Sequence, residues 1–288
     1  MKDATKMIID QLTGGSKQLK ILSIVGMLGL GKTTLADSVY KHPSVNIHFH
    51  VRAWCCVSQV YQKQTLLSEL LDQIVEKTYQ GHQIEEEYFS QNLYQSLKGR
   101  KYLIVIDDIW DIEAWDALKR IFPDDQSGSR ILFTTRHRDV ASEANSISYP
   151  LRLLSDEECC KLLWLELFDR ETCPPDLLII SKHIAGYCKG LPLAVVLIAG
   201  ILKKTEKNRD SWEQVVRTLI RSHGTRNIHF AKLKINKLLD LSYMHLPNFL
   251  KPCFLYFGTF SEDTTISASK LRELWICQGF VQPPDLGH

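Results

Sequence analysis

A glycine-rich stretch near the amino terminus has the residue types and the spacing of a phosphate-binding loop. It satisfies the pattern G-x-x-x-x-G-K-S/T through Gly26, Gly31, Lys32 and Thr33. Glycine lets the backbone curl with positive φ, so that successive N–H groups point into one concavity that suits phosphate oxygens. Lys32 would add a positive charge for the β and γ phosphates of a nucleotide, and the Thr33 hydroxyl suits Mg²⁺.

The sequence on either side of this loop predicts a strand before it and a helix after it. Residues 19–25 form an apolar run, and apolar residues recur at helical spacing over residues 35–40. The helix would present its positive end to an anion, and Thr34 in its first turn adds another hydroxyl. A glycine-rich turn that precedes a lysine by chance is the alternative, but it lacks this setting. We therefore predict a nucleotide site that includes Gly29 and Thr34.

A second apolar run ends in two adjacent carboxylates. Residues 102–106 are apolar, and Asp107 and Asp108 follow them. A buried parallel strand can carry acids only where its carboxyl end emerges near a ligand. We expect Asp107 to hold Mg²⁺ through a water molecule, and Asp108 to polarise the water molecule that would attack the bound nucleotide. An ordinary acidic turn that ends the strand is the alternative.

A further apolar strand, residues 129–135, ends at Arg136. If this strand points the same way as the acidic strand, the Arg136 guanidinium would lie near the γ phosphate. A solvated residue that caps the following helix explains Arg136 equally well, so the sequence leaves both interpretations open.

Composition and charge describe an ordinary globular chain. The sequence has 288 residues, of which 44% are apolar and 24% charged, and its formal charge of +2 favours neither nucleic acid nor an anionic membrane as the main partner. The eight cysteines form no C-x-x-C pair, so we expect reduced core residues. Residues 1–10 predict an amphipathic helix and no signal peptide, and the longest apolar run, residues 191–202, predicts a buried helix. These features predict a cytosolic protein and leave peripheral membrane association open.

The order of elements predicts an α/β part followed by a helical part. Strand and helix patterns alternate from residue 21 to about 153, which favours a parallel sheet covered on both faces. Strand patterns then stop, and Ser155 and Glu158 form a capping box. Pro192 fits the first turn of a later helix and needs no further role. Three more helical patterns lie around residues 238–243, 249–257 and 271–278, with Trp275 and Phe280 as expected core anchors.

Taken together, these stretches resemble the NB-ARC module of plant intracellular immune receptors of the coiled-coil, leucine-rich-repeat class. Tryptophan after an Asp-Asp-hydrophobic sequence, as at Trp110, is typical of that class, and residues 53–59 are similar to the solanaceous late-blight-resistance group. The matching motifs are residues 26–34, 49–57, 102–110, 128–136, 190–193 and 253–258.

The resemblance implies a role for each matching residue. Lys32 and Thr34 would contact phosphates, and Asp108 would support hydrolysis. Thr33 and Asp107 would serve Mg²⁺. Arg136 would sense the γ phosphate of ATP, and Pro192 would pack near the adenine. The implied architecture is a P-loop NTPase domain with a parallel sheet over residues 1–153, a small helical domain over 154–226, and a truncated winged-helix domain over 227–288.

Some features depart from the family pattern. Leu28 stands where the family often has proline or glycine, although the glycines that need special φ are intact. The family's Met-His-Asp motif, which contacts ADP, lies beyond the winged helix and is absent here. The similar Met-His-Leu sequence at residues 244–246 belongs to an earlier motif of the family. The coiled coil and the leucine-rich repeats are missing as well, so we expect a fragment of a receptor.

The expected function is a switch that exchanges ADP for ATP, hydrolyses ATP slowly, and self-associates through the nucleotide domain when ATP is bound. One alternative is a metabolic P-loop ATPase or a kinase acting on a small acceptor, although no arginine-rich lid is evident. Another is a nucleotide-controlled winged-helix transcription regulator. Residues 226–288 contain 7 Lys or Arg against 5 Asp or Glu, which gives no basic stripe for DNA phosphates.

Overall fold

The computed structural model describes residues 2–57, 61–75, 85–169, 172–221, 239–240, 243–244, 246–261 and 264–282. The chain divides into two compact units, Met1–Arg152 and Leu153–His288. The predicted boundary between residues 226 and 227 lies outside the described residues, and the assignment of a winged-helix domain stays a prediction.

The first unit is built on a parallel sheet of five strands, as the sequence predicts. The strands are β1 (Lys20–Val25), β2 (Val51–Cys56), β3 (Tyr102–Ile109), β4 (Arg130–Thr135) and β5 (Ile147–Pro150). Their order in the sheet is β2-β3-β4-β1-β5, so β4 is inserted between β1 and β3. The carboxyl ends of parallel strands meet at one edge, which brings together the glycine-rich loop, the acidic pair and Arg136.

Helices cover both faces of this sheet. They are α1 (Lys2–Thr13), α2 (Lys32–Tyr40), α3 (Pro43–His48), α4 (Lys63–Val75), α5 (Glu86–Leu97), α6 (Ile112–Lys119) and α7 (Arg138–Glu143). Leu103 and Val105 of β3 join the apolar cluster formed with α1 to α3, whereas Ile104 and Ile106 join the cluster formed with α4 to α7. Because both faces are buried, β3 begins with a continuous apolar run over residues 102–106.

A buried arginine pins the segment between α1 and β1 to the sheet. Arg130, at the start of β4, is fully buried. Its Nη1 donates to the carbonyl oxygens of Gln18 and Ser129 at 3.1 and 2.8 Å, and its Nη2 donates to those of Gly14 and Ser16 at 2.7 and 2.9 Å. Burial lowers the pKa of this guanidinium. The segment between α1 and β1 is therefore held to the sheet by hydrogen bonds at several of its carbonyl groups.

The described part of the second unit is helical. Its α-helices are α8 (Asp156–Phe168), α9 (Leu178–Tyr187), α10 (Pro192–Leu202), α11 (Arg209–Arg221), α12 (Leu250–Tyr256) and α13 (Ala268–Cys277). The capping box is confirmed, since the Glu158 N–H donates to Ser155 Oγ at 3.2 Å and the Ser155 N–H donates to Glu158 Oε2 at 2.8 Å. Of residues 238–243, where a helix is expected, the structure describes 239, 240 and 243, and these three are helical.

The expectation that Trp275 and Phe280 anchor a core is wrong for the described residues. Both side chains are half-buried, and no residue of α13 is buried. Trp275 meets Phe257 edge-on with the ring centroids 5.8 Å apart, and Phe280 meets Tyr256 at 5.7 Å. Each of the two rings thus packs against a neighbouring aromatic ring and is partly exposed to solvent.

The cysteines form no disulfide in the described part of the chain, in agreement with the sequence. Most are buried, and burial raises the pKa of Cys159 to about 11. Cys277 is exposed, so it departs from the expected core position. The apolar run of residues 191–202 forms α10 with buried Ala194, Val195 and Ile198. Among the described helices, none combines the length and the apolar character that crossing a bilayer requires.

Gly190 lies directly against the backbone of another segment of the second unit. It has φ +78°, and a Cβ there would lie 2.5 Å from the Leu154 carbonyl oxygen. The Leu154 N–H donates to the Gly190 carbonyl at 2.8 Å, so the two segments cannot separate without losing this bond. A glycine is therefore required where the segment after α9 meets the segment before α8.

We expect Gly190→Ala to lower the free energy of unfolding of the second unit by about 1 to 3 kcal/mol, because backbone strain of this kind costs that much. Urea denaturation followed by circular dichroism measures the change. Gly200→Ala is the matched control, since its new Cβ meets no atom within 4 Å. This helical position should gain up to about 1 kcal/mol. Similar changes in both variants would contradict the close approach.

Candidate nucleotide-binding site

The loop between β1 and α2 has the backbone shape of an anion cradle. The Gly26 N–H donates to the Thr135 carbonyl oxygen at 3.1 Å, which extends the sheet by one residue. Gly29 and Gly31 have φ +79° and +87°, and Gly31 is the N-cap of α2. Gly26 does not have positive φ. A glycine fits here because of packing, since a Cβ at this position would lie 3.0 Å from Leu30 Cδ1. The loop therefore needs its glycines for two different reasons.

Lys32 is a buried cation at the start of α2. The residue is 7% exposed, and its Nζ donates to the Met27 carbonyl oxygen at 3.4 Å. No carboxylate among the described residues forms an ion pair with it. Burial lowers the pKa of Lys32; the charge of Asp108 opposes this shift, and the charge of Arg136 adds to it. A buried ammonium in this position calls for an anion, and the loop N–H groups and the helix end favour the same charge.

Asp107 is held by two hydroxyl groups. Thr33 Oγ1 donates to Asp107 Oδ2 at 2.8 Å, and Thr134 Oγ1 donates to Oδ1 at 2.5 Å. Burial raises the pKa of Asp107, and the hydrogen bonds from Thr134 and Thr33 oppose the shift. A nearby cation would offset the cost of keeping this carboxylate charged.

The chemistry of these donors fits Mg²⁺. A carboxylate and a hydroxyl supply the hard oxygen ligands that Mg²⁺ takes, and Asp107 and Thr33 lie in direct contact. In the part of the chain that the structure describes, no three His, Cys, Asp or Glu side chains group into a metal cage. Mg²⁺ usually shares its ligands among one or two protein oxygens, phosphates and water, so such a cage is not needed.

A register shift separates the directions of the two carboxylates. The pairing of β3 with β4 shifts between Ile106 and Ile109, and Asp108 has φ +57°. The Asp108 N–H donates to Thr134 Oγ1 at 2.9 Å, and Thr135 Oγ1 donates to the Ile109 carbonyl oxygen at 2.7 Å. The hydroxyl groups of Thr134 and Thr135 thus bond to backbone groups of β3, in place of the backbone-to-backbone hydrogen bonds of a regular ladder. Asp107 remains buried, while Asp108 turns away from it.

Asp108 and Arg136 form a two-pronged ion pair. Arg136 Nη2 lies 2.6 Å from Asp108 Oδ2, and Nε lies 3.3 Å from Oδ1. The side chains are 26% and 19% exposed, so the guanidinium is not simply solvated. His137, and not Arg136, is the N-cap of α7. The cap interpretation of Arg136 is therefore wrong, and contact with a γ phosphate stays a prediction.

Sequence reasoning missed two residues of this cluster. Thr134 contacts both carboxylate residues, and a pair of hydroxyl residues at the end of an apolar strand was the available signal. Trp110 served only as a mark of the family class, yet its ring centroid lies 4.1 Å from the Arg136 guanidinium carbon. This contact could not be predicted from the position of Trp110 in the sequence, because the sequence does not reveal the register shift between β3 and β4.

The remaining candidate residues lie apart from these contacts or in the other unit. Thr34 is an exposed residue in the first turn of α2. Pro192 is half-buried at the first position of α10, in the second unit. Phosphate contact by Thr34 and adenine packing by Pro192 stay predictions.

Comparison with known proteins shows similarity over nearly the whole chain. Residues 1–173 match the profile of the NB-ARC domain. A late blight resistance protein homolog of Solanum demissum, R1B-16, is 42% identical over 283 residues, and the late blight resistance protein R1-A of the same species is 41% identical. Each alignment covers 98% of this chain and 21% of the relative, so the chain spans about a fifth of their length. These identities confirm the expected resemblance.

A solved structure shares the fold. It is the signal transduction ATPase with numerous domains (STAND) that carries a tetratricopeptide repeat sensor in Pyrococcus horikoshii. The TM-score is 0.55 at 17% identity, over 94% of this chain and 36% of that one. The phosphate-loop geometry, the parallel sheet and the family match agree with one another. The chain belongs to the NB-ARC domain family.

Proposed function

We propose that the chain is the nucleotide-dependent switch of a plant immune receptor, which holds ADP at rest and exchanges it for ATP. The observation that carries this proposal is the buried Lys32 ammonium, which has no carboxylate partner among the described residues and lies in a loop of the required shape. The similarity to late blight resistance proteins supports the biological setting. A cytosolic location is part of this proposal, as the resemblance to intracellular immune receptors implies.

Each residue at the sheet edge has a part in nucleotide binding. Lys32 and the N–H groups of the loop would bind the phosphates, and Thr34 would add a hydroxyl. Thr33 and Asp107 would hold Mg²⁺, which when bound supplies positive charge to the β and γ phosphates. Arg136 would distinguish ATP from ADP by contact with the γ phosphate.

Slow hydrolysis would return the switch to its resting state. The Asp108 carboxylate would accept a hydrogen bond from a water molecule and orient its oxygen toward the γ phosphorus. The new P–O bond forms as the bond to the β–γ bridging oxygen breaks, which gives ADP, inorganic phosphate and a proton. A switch must remain in each state, so we expect turnover well below the ~1 to 1,000 per second of typical enzymes.

The switch itself would arise from different contacts with the two nucleotides. A ligand moves a conformational equilibrium only by its difference in affinity for the two states. We propose that Pro192 packs near the adenine, that residues 154–226 and 227–288 form the helical and winged-helix domains that respond, and that residues 1–153 self-associate when ATP is bound. The coiled coil and leucine-rich repeats would belong to the rest of the receptor.

We expect Lys32→Ala to abolish the binding of ADP, which the wild-type chain should bind in the micromolar range or tighter. The substitution removes the only buried positive charge of the loop. Calorimetric titration with ADP and Mg²⁺ measures the loss. Lys41→Ala, at the exposed end of the same helix, is the control and should bind as the wild type does. Undiminished affinity in Lys32→Ala would refute the site.

Asp107 and Asp108 should separate by role. Asp107→Asn removes a proposed metal ligand and should weaken Mg²⁺-dependent ATP binding, whereas Asp108→Asn should not weaken ATP binding and should slow cleavage. Titration with a non-hydrolysable ATP analogue, with and without Mg²⁺, and single-turnover phosphate release measure the two effects. Equal loss of binding in both variants would contradict this division.

Arg136→Ala should weaken binding of the ATP analogue by roughly 10- to 150-fold and leave ADP nearly unchanged. A charge-assisted hydrogen bond contributes about 1.5 to 3 kcal/mol, which corresponds to that factor. Paired titrations with both nucleotides measure it. Arg138→Ala removes an exposed guanidinium two residues away and serves as the control. If both nucleotides weaken equally in Arg136→Ala, the arginine supports the structure and does not sense the γ phosphate.

A further inference from the structure

One ion pair engages both of the side chains that the proposed function assigns to hydrolysis and to γ-phosphate sensing. We propose that Asp108 competes with the γ phosphate of ATP for Arg136, and that Asp108 thereby sets how strongly the site prefers ATP to ADP. This inference rests on the proposed function, because it concerns the same nucleotide site.

The geometry of the pair makes the competition direct. Nε and Nη2 of Arg136 meet the two oxygens of Asp108 along one edge of the guanidinium. Arginine binds carboxylates and phosphates with this same fork of donors. An edge filled by a carboxylate cannot receive phosphate oxygens at the same time. A γ phosphate that binds this edge must displace the Asp108 carboxylate, whereas ADP has no third phosphate to do so.

The backbone builds this pair into the fold. Asp108 has φ +57°, a conformation that aspartate adopts more readily than most residues, and its N–H is bound to Thr134 Oγ1. The register shift between β3 and β4 fixes the position of the same residue. The carboxylate is thus aimed at Arg136 by contacts that do not depend on the side chains of the pair.

Trp110 is the positioning residue for the guanidinium. Its ring centroid lies 4.1 Å from the Arg136 guanidinium carbon, within the range of a cation–π contact. A ring against the flat face leaves the edge of the guanidinium for hydrogen bonds. Arg136 can then exchange one anion for another by a movement across the ring, which changes the surroundings of Trp110.

The ion pair of Asp108 and Arg136 interacts electrostatically with Lys32 of the phosphate loop. The charges of Asp108 and Arg136 both shift the pKa of Lys32, in opposite directions. When Arg136 turns to a γ phosphate, the Asp108 carboxylate becomes available to a water molecule. Sensing of ATP and release of the group that orients water would therefore be one event, and ADP would leave both side chains paired.

Titration of Asp108→Asn tests the competition. Asparagine tolerates positive φ but carries no charge. We expect the dissociation constant of a non-hydrolysable ATP analogue with Mg²⁺ to fall by about fivefold, the order of magnitude for a partly exposed ion pair. The dissociation constant of ADP should not change. An unchanged ratio of the two constants would overturn the proposal.

The same substitution in an Arg136→Ala background separates competition from simple repulsion. Loss of a negative charge near the site would favour ATP in either background if repulsion were the cause. Competition predicts that the gain disappears when Arg136 is absent. An equal gain in both backgrounds would therefore refute the role of Asp108 as a competitor.

Tryptophan emission reports the movement of Arg136. The ATP analogue should change the emission of the wild-type chain in a way that ADP does not, and Trp110→Phe should remove this difference while keeping an aromatic face. Asp108→Asn without nucleotide should already be shifted toward the analogue-bound emission. A difference that survives in Trp110→Phe would contradict movement against this ring.

The outcomes also separate this inference from the function on which it rests. A wild-type chain that binds neither ADP nor the analogue would refute the proposed function and the competition together. Binding of both nucleotides with no shift in Asp108→Asn would refute the competition alone. If circular dichroism shows that Asp108→Asn does not fold, Asp108→Gly, which accepts positive φ, should give the same shift.

Discussion

The hydroxyl of Thr134 is the contact on which the arrangement of the sheet edge depends. It donates to the Asp107 carboxylate and accepts from the Asp108 N–H, so one atom orients two neighbouring acids in different ways. This is possible only because β4 lies between β1 and β3 and carries Thr134 to the place where the pairing with β3 shifts. Without the shift, adjacent residues would alternate regularly across the sheet. The register shift thus gives Asp107 a buried position and gives Asp108 a partner in Arg136.

The charges at this edge balance before any nucleotide is present. Lys32 and Arg136 are set against Asp107 and Asp108, and the formal charges of these four side chains sum to zero. The balance is uneven in space, since Arg136 is paired with a carboxylate whereas the cationic Lys32 has no such partner among the described residues. A polyanion that arrives with its cation therefore meets one unpaired charge and one that must first change partner. Electrostatics at close range, and not net charge, distinguishes this edge from the rest of the surface.

The sequence was sufficient for the parts that local pattern determines. The phosphate loop, the acidic end of β3 and the apolar character of buried strands follow from residue types at fixed spacing. The position of β4 between β1 and β3 could not be read, because every strand that is buried on both faces has the same apolar pattern. The partner of Arg136 could not be read either, since a guanidinium looks the same in sequence whether it meets a phosphate or a carboxylate. The prediction that Trp275 is a buried core residue failed for a related reason. An aromatic residue in the sequence indicates that its ring makes contacts, but not how much of the ring is covered.

The Arg130 guanidinium has a mechanical consequence. Because its charge is stabilised by carbonyl groups of the segment between α1 and β1, this segment cannot slide along the sheet without leaving a buried charge unsolvated. Arg130 begins the strand whose other end carries Thr134, and Arg136 follows that strand directly. A force that pulls on α1 would therefore be transmitted through Arg130 to β4. The carboxyl end of this strand lies at the nucleotide edge of the sheet.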